Sequence, residues 1–91
     1  MGKTLLYVGG LSETATDHNL RALFTPYGTV DRAYVITYKH TGRSAGYGFV
    51  EMDCGENALK AVVALEGTKV DGQRLRTYVT PSMHQSTSRL S

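Results

Sequence analysis

The chain has 91 residues, which makes one domain with a single modest core and little room for a deep catalytic cleft. With 41% hydrophobic and 20% charged residues its composition is ordinary for a globular protein, and a net charge of +2 does not by itself announce a polyanionic partner. One cysteine, Cys54, excludes an internal disulfide, and with the scattered His18, His40 and His84 it offers no metal-ligand spacing, so no structural zinc and no cofactor are expected.

Short strands and helices alternate along the chain. Leu6, Tyr7 and Val8 alternate as a first strand, which Gly9 and Gly10 end. Thr16 reads as a helix N-cap, with Ala15 before it and Leu20 four residues on as a weak hydrophobic staple. Leu20, Leu23 and Phe24 share one helical face until Pro26, Tyr27 and Gly28 stop the helix. Val30 to Ile36 is rich in β-branched and aromatic residues and predicts a second strand; polar residues 38–44 predict a loop. Tyr47 to Met52 alternates as a third strand. A second helix is predicted from Glu56 to Glu66, with Ala58, Ala61, Val62 and Leu65 on one face and Gly67 closing it. The pair Asp71-Gly72 is a hairpin-turn signal leading into a last strand from about Arg74 to Thr80, which Pro81 ends.

The order β-α-β-β-α-β predicts an α+β, ferredoxin-like sandwich: a four-stranded antiparallel sheet with two helices on one face. Residues 1–80 form the expected domain, and residues 81–91, poor in apolar side chains, an expected flexible tail. The longest apolar run, residues 61–65, is far too short to span a membrane, and no signal-peptide pattern opens the chain.

Two helices cover one side of such a sheet, so the other side must be read for function. Leu6, Val8, Ala33, Val35, Val50, Met52, Leu75 and Thr77 fit beneath the helices. Alternation leaves Tyr7, Tyr34, Ile36, Tyr47, Phe49, Arg76 and Tyr78 for the open face, together with Glu51. Five of the chain's eight aromatic residues (six Tyr, two Phe) would then face water, where a contiguous apolar patch marks a binding site. The opposite assignment would strand Leu6, Val8, Val50 and Met52 in solvent. Residues 32–50 contain no acid but include Arg32, Lys39 and Arg43, and no acid follows Asp71. That asymmetry becomes evidence for an anionic partner only if the two stretches share a face.

Residues 6–11, Leu-Tyr-Val-Gly-Gly-Leu, resemble the hexamer motif of the RNA recognition motif family. Residues 45–52, Ala-Gly-Tyr-Gly-Phe-Val-Glu-Met, resemble its octamer. A six-residue match alone is weak; both motifs on the right strands of this element order are specific. The resemblance spans roughly residues 4–80. It implies single-stranded RNA as the partner, with single-stranded DNA left open, and a monomer with no membrane association. Tyr7 and Phe49 match positions that each take a base, and Tyr47 matches the ring that packs against the sugars between them. Tyr34 and Tyr78 extend the ring surface, and Lys3, Lys39, Arg43 and Arg76 are the cations near the face. Gly46 and Gly48 either keep the backbone low so that a base lies close or let the strand bend; both readings stand.

Two positions depart from the family pattern. The octamer's first residue, a phosphate-contacting Lys or Arg in the family, is Ala45; Arg43 replaces it or is a solvated loop arginine, with equal weight. Its last aromatic is Met52, on the core side, which alters packing rather than binding. The Phe-Val-Glu-Met ending resembles small single-domain bacterial members, which with plant glycine-rich ones are associated with cold-responsive RNA handling. That resemblance implies a cytoplasmic protein in bacteria; a eukaryotic member would be nuclear.

Other polar residues read as structural. Cys54 lacks a basic neighbour and reads as a helix-start cap or half-buried filler. His18 and His40 have no catalytic partner at a useful spacing, and Asp17 reads as an acid favoured by the helix dipole. A protein-interaction module on the same fold is the alternative function, although such domains tend to lose the sheet aromatics. Acylphosphatases share the element order, but their phosphate loop with its following Arg is absent after the first strand, so no enzyme is expected.

Overall fold

A computed structural model describes residues 3–80, and the expected tail at 81–91 lies outside them. In chain order the elements are β1 (Thr4–Gly9), α1 (Asp17–Phe24), a 3-10 helix (Thr25–Tyr27), β2 (Val30–Thr37), β3 (Ser44–Met52), α2 (Gly55–Leu65), β4 (Lys69–Val70), β5 (Gln73–Arg74) and β6 (Arg76–Val79). Strands β2, β3, β1 and β6, in that spatial order, make one antiparallel sheet. Both helices contribute to the core on one of its faces. Leu6, Val8, Val50 and Met52 from the sheet meet Leu20, Phe24, Ala58, Ala61 and Leu65 from the helices, all buried. The expected α+β sandwich is the observed fold.

Local chemistry explains where the helices begin. The Thr16 hydroxyl accepts the Asn19 backbone N–H at 3.1 Å, and the Asn19 side-chain oxygen accepts the Thr16 N–H at 3.1 Å. This reciprocal cap satisfies two N–H groups at the helix start. Cys54 stands at the N-cap of α2 but makes no side-chain capping bond, and it is half-buried. It is filler.

The last strand differs from expectation. Asp71 (φ 53°) and Gly72 (φ 80°) both take the left-handed conformation of a tight hairpin turn. They join β4 and β5 into a separate two-stranded sheet. Leu75 interrupts the run: its side chain is fully buried, its N–H goes to Thr68 and its carbonyl accepts the Gly67 N–H. Only from Arg76 does the chain pair with β1. A buried anchor thus splits what alternation reads as one strand.

Both outer strands of the main sheet have backbone groups engaged by side chains. Asp17, at the start of α1, accepts the Val35 N–H of β2 at 2.8 Å, while Arg21 donates to the Val30 carbonyl at 2.8 Å. Asp17 therefore holds β2 as well as complementing its own helix dipole. At the other edge Glu66, just past α2, accepts the Thr77 N–H of β6 and pairs with Arg76 at 3.5 Å. Occupied edge groups are poor templates for another chain's strand.

The Thr77 backbone N–H, opposed in part by desolvation and aided by the Thr77 hydroxyl and Arg76, holds the Glu66 carboxyl below its ordinary value. A carboxyl with a lowered folded-state pKa stabilises the fold above its unfolded value, and that contribution is lost as pH falls through the folded value. Replacing Glu66→Gln is therefore expected to destabilise the protein at neutral pH and to matter progressively less in acid. Denaturant melts of both proteins across the carboxylate range check this; a gap that stays constant with pH would contradict it.

Candidate nucleic-acid interface

The sheet face away from the helices carries rows of side chains set by strand register. Tyr34 of β2 lies opposite Phe49 of β3, Phe49 opposite Tyr7 of β1, and Tyr7 opposite Tyr78 of β6. One aromatic residue from every strand thus forms a band across the whole sheet. Tyr47 sits in the next row, opposite Gly9, with Arg76 beyond. The bands arise because each strand has period two and the register aligns the same parity on one face.

The rings touch one another. Tyr7 is near-parallel to Tyr78 with centroids 4.8 Å apart and to Tyr47 at 5.9 Å. It meets Phe49 edge-on at 6.0 Å, and Phe49 lies 5.8 Å from Tyr34 and 6.1 Å from Tyr47. These separations suit aromatic pairing, worth about 0.5–1.5 kcal/mol per pair beyond area burial. A Cβ at Gly9 would lie 2.5 Å from the Tyr7 hydroxyl. The Tyr7 ring therefore lies along its own strand over Gly9, a residue whose place in the face the sequence reading missed.

All five expected rings come together, and Arg76 joins them at the β6 end. The expected cations are mostly engaged with acids. Lys3 pairs with Asp31 at 3.4 Å, Arg43 with Glu13 at 2.8 Å, and Arg76 with Glu66. Arg43 and Glu13 are both well exposed, at 65% and 62%, so their bond is worth at most about 1 kcal/mol and is exchangeable. Lys39 is exposed in the loop between β2 and β3 and forms no ion pair among the described residues.

Arg32 was not among the expected site residues, yet its guanidinium lies 5.5 Å from the Tyr34 ring centroid. Its phase with Tyr34 along β2 was the available signal. One cation from each acid-free stretch reaches the open face: Arg32 and Arg76 flank the aromatic band at opposite edges of the sheet. Glu51, opposite both Arg32 and Leu5, brings one acid into the same surface.

Gly48 has a different role from Gly9. It points to the core side, where a Cβ would lie 2.4 Å from the Tyr34 carbonyl oxygen, 2.9 Å from the Val35 Cα and 3.1 Å from a Leu20 methyl. Its bareness serves strand and helix packing rather than the approach of a base. Gly46 takes φ +94°, and its carbonyl accepts the Leu11 N–H at 2.9 Å, tying the start of β3 to the loop after β1. No helix of the described residues is long and apolar enough to cross a membrane.

Comparison with known proteins agrees with this fold. Over 71 residues, 78% of this chain, it is 41% identical to glycine-rich RNA-binding protein 4, mitochondrial, of Arabidopsis thaliana, and spans 52% of that protein. It is also 41% identical over 71 residues to the Nostoc sp. protein RbpD, which carries a provisional RNA-binding name, and spans 76% of it. Among solved structures, a Sex-lethal protein–RNA complex superposes with a TM-score of 0.80 at 34% identity, covering 85% of this chain and 47% of that one. Residues 6–76 match the model of the RNA recognition motif. The chain belongs to the RNA recognition motif family.

Proposed function

We propose that the open sheet face binds single-stranded RNA, with one base stacked on Tyr7, one on Phe49, and Tyr47 packed against the sugars between them. The observation that carries the reading is the unbroken band of rings across all four strands on a face that no helix covers. Every base has a π-face, so such a surface holds unpaired nucleotides with little dependence on sequence, at about 1–3 kcal/mol per stack. Tyr34 and Tyr78 lengthen the platform, and Lys3, Lys39, Arg43 and Arg76 meet phosphates around it. The side chains on the edge strands favour a monomer, and nothing in the reading calls for catalysis.

Part of the Tyr7 surface is already occupied by Tyr78. A base taking that face exchanges one ring–ring stack for another, which lowers the net gain, and docking and nucleotide ordering remove several kcal/mol more. A single domain is therefore expected to reach about micromolar affinity, roughly −8 kcal/mol. Titration with a single-stranded oligomer and with the same sequence annealed into a duplex tests the reading. The single strand should bind well and the duplex poorly, because duplex bases are already stacked; equal binding would contradict it.

Binding should depend on salt without being dominated by it. If about 2–4 phosphates are neutralised, the log–log slope for a single strand is about −1.4 to −2.8. Three of the four cations must first leave carboxylates, which favours the shallow end. A steep slope in a salt titration would show that phosphate contacts outweigh the rings.

A further inference from the structure

Arg32 and Glu51 stand directly opposite each other on the open face, one row from Tyr34 and Phe49, with Leu5 completing the row. They do not pair with each other: no ion pair within 4.0 Å joins them, and neither side chain makes a hydrogen bond among the described residues. Arg32 instead holds its guanidinium over the Tyr34 ring. Three of the four expected cations behave differently, since Lys3, Arg43 and Arg76 each have a carboxylate partner. The surface beside the aromatic band therefore presents an unspent donor fork next to an unspent two-oxygen acceptor.

We infer that this pair reads the edge of the base stacked on Phe49 and selects guanine. The inference rests on the stacking reading above. A carboxylate accepts two parallel N–H bonds, and the guanine Watson–Crick edge offers two adjacent donors, N1–H and the 2-amino group, with the O6 acceptor beside them for an arginine. Adenine and cytosine offer the carboxylate one amino group and set a ring-nitrogen lone pair against its second oxygen. Uracil offers one N3–H flanked by two carbonyl oxygens that repel it. Only guanine supplies a donor to each carboxylate oxygen and an acceptor to the guanidinium.

Four oligouridines, one unmodified and the others carrying a single central G, A or C, provide the test by equilibrium titration. The G-containing strand is expected to bind about tenfold tighter than the other three, the lower range of a good bidentate contact. Glu51→Gln keeps the shape but replaces one acceptor oxygen with a donor. It should bring G close to the others without weakening A, C or U, because a repulsive charge is also lost. Arg32→Gln should reduce the G preference through O6 and weaken all four strands slightly. A merely structural role for Glu51 would move all four affinities together. Equal affinity for the four strands, with binding still dependent on Tyr7 and Phe49, would overturn the guanine inference alone, as would a G preference that survives Glu51→Gln. Failure of all four to bind would overturn the stacking reading and the inference with it.

Discussion

Replacing Tyr7→Ala and Phe49→Ala together is expected to weaken single-stranded RNA binding by tenfold or more. The two stacks nominally supply about 2–6 kcal/mol. The Tyr7–Tyr78 contact already present in the free protein offsets part of that, so at least about 1.4 kcal/mol should be lost. The fold should survive, because both rings lie on the open face while their strand neighbours Leu6, Val8 and Val50 carry the burial. Some stability is lost with the ring–ring contacts, about 0.5–1.5 kcal/mol for each pair. Thermal melts alongside the titration separate the two effects. Undiminished affinity in a folded double variant would sink the stacking account.

The second large effect concerns stability. Gly48→Ala puts a methyl group 2.4 Å from the Tyr34 carbonyl oxygen, and that obstacle is backbone, which cannot swing aside as a flexible side chain could. Relief requires β2 to separate locally from β3, and the Leu20 methyl at 3.1 Å must give way as well. Overpacking of this kind costs about 1–3 kcal/mol, a large share of the 5–15 kcal/mol that typically holds a domain together. Denaturant unfolding measures the loss. If Gly48 instead served the approach of a base, the same substitution would leave stability unchanged and weaken RNA binding, and that outcome would refute the packing role.

Much of the fold was legible in the sequence because it depends on local period and turn chemistry. Alternation in residues 47–52 sorts Val50 from Phe49, and the helical spacing of Leu20, Leu23 and Phe24 gives the face that α1 turns toward the sheet. The five rings of the site follow from that same alternation. Less legible was what depends on contacts distant in sequence. Alternation puts Leu75 beneath the helices, where it lies, but cannot see that its backbone bonds go to Gly67 and Thr68 instead of β1, so Arg74 was read into one strand with β6 and the short β4 was not foreseen. Asp17 looked like a helix-start acid because its bond to Val35 joins residues that only the folded sheet brings together. Arg43 pairs with Glu13 thirty positions away, a contact that spacing does not announce. Gly48 shares the parity of Val50 and Met52, but its role stayed open because the atoms that crowd it belong to Tyr34, Val35 and Leu20, which only the folded chain brings near. Arg32 and Glu51 stand on the right parity, but only the register shows that they share a row.

Mapping of backbone amide shifts while a short single-stranded RNA is added tests the central claim most directly. The account predicts that the largest changes fall on β1 and β3 around Tyr7, Tyr47 and Phe49, spread to Tyr34 and Tyr78 at the two outer strands, and leave α2 unchanged. The opposite side offers a clear contrast, because Leu59 and Val63 of α2 are 57% and 73% exposed and form an apolar surface with Tyr27 and Ala64. Shifts concentrated on Leu59, Val63 and their neighbours, with the sheet face silent, would contradict the account.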